Sequence, residues 1–107
     1  MIPDVINSLQ KPGLFEKFKT QLLKDFEMSG FSDQAPVITS SNIDQVYDAV
    51  LESVLKVERR DSSGIMKLLY RIDITEGQLR KASHNSPNNF KQVIAELIIK
   101  RILQKVI

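Results

Sequence analysis

His84 and the carboxylate row Asp44, Asp48 and Glu52 come nearest to chemistry by type and spacing. An imidazole can move protons near neutral pH or ligate a metal. Acids four apart share one helix face, where they could gather a cation. Neither pattern has its complement. With no cysteine and one histidine, a zinc site would need three oxygen ligands, an uncommon set. A serine triad would have to use His84, yet no Gly-x-Ser-x-Gly turn is present. His84 itself stands in Ser83-His84-Asn85-Ser86, which reads as an exposed polar connection. The acid row reads as a solvated helix face, its like charges costing only a few tenths of a kcal/mol per pair. The glycines at 13, 30, 64 and 77 form no phosphate-cradling loop. No catalytic residue, metal, cofactor or small-molecule substrate is expected, and the chain reads as non-enzymatic.

Charge is more informative. Residues 1–54 hold four Lys against eight Asp or Glu, a balance of −4, and residues 55–107 hold eleven Lys or Arg against five acids, +6. Such asymmetry orients encounters with a charged partner or between copies. Arg71, Arg80, Lys81, Lys100 and Arg101 are therefore candidate anion or nucleic-acid contacts, in a helix-turn-helix-like arrangement spanning roughly residues 63–104. Two features oppose this. The connection from Arg80 to Phe90 is longer than a three- or four-residue turn. VIAELIIKRIL, which follows, is too apolar to read bases from a groove.

The elements that would carry these residues are mostly helical. Residues 2–10 can form a helical turn or two before Lys11-Pro12-Gly13 breaks the chain. From Leu14 to Met28, Phe18, Leu22 and Phe26 recur at a 3.6-residue period, with Glu16, Lys17, Lys19, Lys24 and Asp25 assigned to the wet face and Gly30 as the stop. After a Pro36-containing connection, Ser41 or Asn42 can cap a helix whose stripe runs Val46, Tyr47, Val50, Leu51, Val54, and Arg59-Arg60 suit its C-terminal pole. Residues 67–74 are ambiguous, because Leu68, Tyr70, Ile72 and Ile74 alternate like a strand. Helix is preferred, since no other segment alternates well enough to pair with a strand there. Thr75-Glu76-Gly77-Gln78 then forms a capping box, with Ile74 and Leu79 as its hydrophobic staple, and opens a helix over 76–83. Ser86-Pro87 is a further start signal.

In the last segment Phe90, Ile94, Leu97, Ile98, Ile102 and Val106 are part of an apolar surface exceeding one stripe. Such a helix is central in its own domain or shared with another chain. Sharing about 400 Å² at about 25 cal/mol per Å² would be worth on the order of 10 kcal/mol before association costs. Those six residues are the candidate partner interface.

The expected fold is thus all-α: one domain over residues 1–107, a compact bundle of four to five helices with a strongly apolar C-terminal helix. The alternative is α+β with a short strand at 67–74. The expected function is a non-catalytic protein-interaction or assembly module, self-associating through residues 88–107 or binding another protein. The alternative is a nucleic-acid-binding regulator using the basic half. The first residues lack a basic-then-apolar leader, no run approaches the roughly 20 apolar residues that span a bilayer, and absent cysteine suits a reducing compartment. A cytoplasmic location and no membrane partner are expected.

Overall fold

The computed structural model describes residues 3–85 and 89–107. Its helices are α1 (Pro3–Leu9), α2 (Pro12–Met28), α3 (Ile43–Arg60), α4 (Gly64–Ile72), α5 (Glu76–Asn85) and α6 (Phe90–Val106), with a 3-10 turn at Ser32–Gln34 between α2 and α3. No strand occurs among the described residues, and the chain is an all-α bundle. The turns before Lys11 stand as a helix of their own, which brings the number of α-helices among the described residues to six.

Local chemistry sets most helix ends. Pro12 opens α2, where a missing N–H costs nothing. Gly30, at φ 88°, closes it. The Phe31 amide donates to the Phe26 carbonyl at 2.8 Å and the Gly30 amide to that of Glu27 at 3.0 Å, the paired bonds of a Schellman closure. Asn42, rather than Ser41, caps α3, its Oδ1 accepting from the amides of Asp44 and Gln45 at 3.0 and 3.2 Å. Arg60 at the other end of α3 donates to the Gly30 carbonyl and to Gln34 Oε1, both at 2.9 Å, and lies over the Phe31 ring. That ring presses on Gly64, the first residue of α4.

Residues 67–72 are helical, and the strand alternative is not realised. A strand here would leave its ladder groups unpaired, whereas a helix satisfies them internally. Leu68, Leu69 and Ile72 enter the core while Tyr70 points outward. The helix ends on Asp73 at φ 74°, a left-handed position usually held by glycine. The Ile74 amide donates to the Leu69 carbonyl at 2.9 Å and the Asp73 amide to that of Tyr70 at 3.2 Å, a second Schellman closure. One residue later the capping box forms as read. The Gln78 amide donates to Thr75 Oγ1 at 3.0 Å, and the Thr75 amide to Gln78 Oε1 at 2.9 Å. Ile74 and Leu79 both join the core. α5 then runs to Asn85, two residues past its expected end, so His84 lies exposed on a last helical turn rather than in a connection. The Ser86-Pro87 signal lies outside the described residues.

α6 is the hub. It packs most extensively on α3 and α2 and also touches α1, α4 and α5. Ile94, Ala95, Ile98, Ile99 and Ile102 have no solvent exposure. The wide apolar circumference of this helix is met by neighbours on several sides.

Candidate protein-interaction surface

The six apolar residues singled out on α6 do not share an open face. Ile94, Ile98 and Ile102 are fully buried in the core, Leu97 and Val106 are half-buried, and only Phe90 is exposed. The surplus that suggested a shared helix is largely absorbed by the surrounding bundle.

The five basic candidates differ in their surroundings. Arg101 Nη2 lies 2.9 Å from Asp73 Oδ2, and Arg71 Nε lies 3.7 Å from Asp25 Oδ1. Lys100 is half-buried. Arg80 and Lys81 are exposed on α5 with no carboxylate partner within 4.0 Å among the described residues. Elsewhere Lys91 meets Glu58 at 2.7 Å, Lys67 meets Asp61 at 2.9 Å and Arg59 meets Glu52 at 3.3 Å. Much of the positive excess of the C-terminal half is thus drawn into intramolecular pairs, each worth little at the surface.

Asp25 overturns its assignment to the wet face of α2, because it is fully buried. Lys105 Nζ donates to its Oδ2 at 2.6 Å and Gln21 Nε2 to its Oδ1 at 3.1 Å, with Arg71 beyond. One carboxylate thereby ties α2 to the ends of α4 and α6. The signal was available in the spacing, since Phe18, Leu22 and Asp25 fall on one helical stripe. What spacing could not disclose was the cation 80 positions away.

A concavity with a largely apolar lining lies at the elbow between α4 and α5. It has a volume of about 710 Å³ and is lined by Met66, Leu69, Tyr70, Arg71, Ile74 and Glu76, among others. Leu69 and Ile74 form a nearly covered floor, at 1% and 8% exposure. Met66 and Tyr70, one turn apart on α4, stand at 47% and 87%. The Asp73 closure and the Thr75 cap determine this bend, so the groove is built by backbone and capping hydrogen bonds rather than by a loose loop. Its charges are divided. Asp25 has Lys105 at 2.6 Å and shares Arg71 only at 3.7 Å, so the 40% exposed Arg71 stands on one wall as the more loosely held of the two cations. Asp73 is matched by Arg101, whereas Glu76 has no cation within 4.0 Å among the described residues. Sequence inspection marked Arg71 as a contact and met Tyr70 only in the alternation at 67–74, and it passed over Met66, because a lone apolar side chain on a helix carries no directional signal before the helix is placed.

A second concavity, of about 390 Å³, is lined by Ile6, Ile43, Asp44, Tyr47, Gln92 and Glu96. Burial, then the charges of Glu96 and Asp48, raise the Tyr47 phenol above its ordinary 10.0. Glu96 shares the lining of this concavity with Tyr47. No group of three or more His, Cys, Asp or Glu side chains able to hold a metal occurs among the described residues. Among them, no helix is long and apolar enough to cross a membrane. Comparison with family models, curated proteins and solved structures found no match to the chain.

Proposed function

We propose that the chain is a non-catalytic protein-interaction module that engages its partner through the α4–α5 elbow. The observation that carries this is Tyr70, 87% exposed on α4 beside Met66 and an apolar-floored groove. Exposed tyrosine and methionine are enriched at interface cores, where a large amphipathic ring gains contact area at low entropic cost. The interface expected on α6 therefore moves to α4 and α5. A nucleic-acid regulator draws less support, because Arg71 and Arg101 face Asp25 and Asp73 and leave Arg80 and Lys81 as a small patch. Against generic duplex DNA and RNA, fluorescence anisotropy across a salt series should show no salt-steep binding.

The direct test places a photo-cross-linking phenylalanine analogue at position 70 and, as a control, at position 23. Leu23 is also a half-exposed apolar residue, but on α2. In the cells that make the protein, discrete adducts should form from position 70 and not from 23. Equal adducts from both, or none from 70, refute the assignment.

A further inference from the structure

The elbow presents a knob and a hole on one surface. The knob is Tyr70, nearly fully outside the fold, and the hole is the groove over Leu69 and Ile74, walled by Met66. The rim carries a partly exposed cation, Arg71, held at 3.7 Å by an Asp25 that Lys105 already binds, and an anion, Glu76, with no cation within 4.0 Å among the described residues. A surface holding both members of each complementary pair fits its own copy, because a two-fold axis brings residue i against j and j against i. We infer that the occupant of the elbow is a second copy of this chain, docked across a two-fold axis. Each Tyr70 enters the other's groove, and each Arg71 faces the other's Glu76. This rests on the interaction module proposed above and names its partner.

The size of the patch sets the strength. Tyr70 and Met66 together offer on the order of 300 Å² of apolar surface, well below the roughly 800 Å² per partner of a standard stable interface. The dimer is accordingly weak and reversible, of the class that assembles at micromolar to millimolar concentration. Exposed charge pairs add little affinity, and they discriminate register and partner instead.

The test is sedimentation of the full chain over a concentration series up to millimolar, with circular dichroism to confirm that each variant is folded. Wild type should pass from monomer to dimer. Tyr70→Ala, which removes two symmetric anchors, should weaken this by about a hundredfold or more, at tenfold per 1.4 kcal/mol, while Tyr70→Phe should largely retain it. Arg71→Glu and Glu76→Lys should each fail to dimerise alone, since each two-fold contact then opposes like charges. Mixed together they should form a heterodimer, because both contacts become complementary. A wild type that stays monomeric at millimolar overturns the inference. So does a dimer unaffected by Tyr70→Ala, or a mixture of the two charge variants that stays monomeric. If wild type is monomeric yet position 70 cross-links a different protein, the partner assignment fails and the interaction module stands.

Discussion

Lys105→Met should destabilise the bundle by about 2–3 kcal/mol. The lost contact is the 2.6 Å bond from Lys105 Nζ to Asp25 Oδ2, made to a carboxylate side chain only 1% exposed. Removing one partner of a buried ion pair costs roughly 3–5 kcal/mol, since the other charge stays desolvated. The lower figure applies because Gln21 still donates at 3.1 Å and Arg71 remains 3.7 Å away. Methionine also keeps most of the packed lysine stem. In urea, with a slope of roughly 1–3 kcal/mol per M for a chain of this size, the midpoint should fall by about 1–2 M at unchanged slope. Combining Lys105→Met with Asp25→Leu should recover stability to within about 1 kcal/mol of wild type, because a packed apolar pair needs no desolvation of charge. Arg71, 40% exposed, can then turn to water. A loss below about 1 kcal/mol for the single variant, or a double variant as unstable as the single, would refute the assignment of Asp25 as a buried latch between α2 and α6.

Three further outcomes follow from the packing and the electrostatics. Gly64→Ala should cost about 1–2 kcal/mol in thermal or urea unfolding, despite better helix propensity. Its new Cβ would sit 2.7 Å from Phe31 Cζ and 2.9 Å from Val57 Cγ1. Adding Phe31→Leu should then cost less than Phe31→Leu does alone. Asp61, held by hydrogen bonds from Lys67 and Ser63, has its carboxyl lowered from 3.8 to about 2. Its stabilising contribution is therefore present above pH 3.8 and lost as pH falls through about 2. Carboxyl-carbon NMR should find that midpoint, and Lys67→Met should move it upward; an unmoved midpoint would exclude Lys67 as the main cause. The raised Tyr47 phenol favours its neutral form in the fold, so that contribution is full below pH 10.0 and disappears as pH rises through the folded value. In a Tyr70→Phe background, Glu96→Gln should lower the tyrosinate absorbance midpoint only in part, because burial is the larger cause.

Some features were legible because their physics is local. The Thr75–Gln78 capping box, the break before α2, Gly30 at the end of α2 and the stripes of α2 and α3 each depend on residues within a turn or two of one another, although Pro12 and Gly13, read as part of that break, belong to the first turn of α2. Periodicity and capping chemistry report such neighbours directly. The all-α class followed from the same signals, since no segment offered a partner for the alternation at 67–74. The Asp73 closure was not legible in the same way. Aspartate tolerates the left-handed region only moderately, and nothing nearby marks it as a helix end, whereas its carboxylate meets Arg101 28 residues later.

Sequence by itself therefore determined the helical class and most of the caps and breaks, through interactions confined to a turn of chain. Tertiary structure alone decided which apolar and charged groups stay available. α6 looked over-apolar in isolation, yet five neighbouring helices cover Ile94, Ile98 and Ile102. Asp25 looked solvated, yet Lys105 reaches it in the core. Tyr70 looked like one member of a strand, yet the bend set by Asp73 and Thr75 leaves it standing outside a groove. Exposure is a property of what packs from elsewhere in the chain, and that information is non-local.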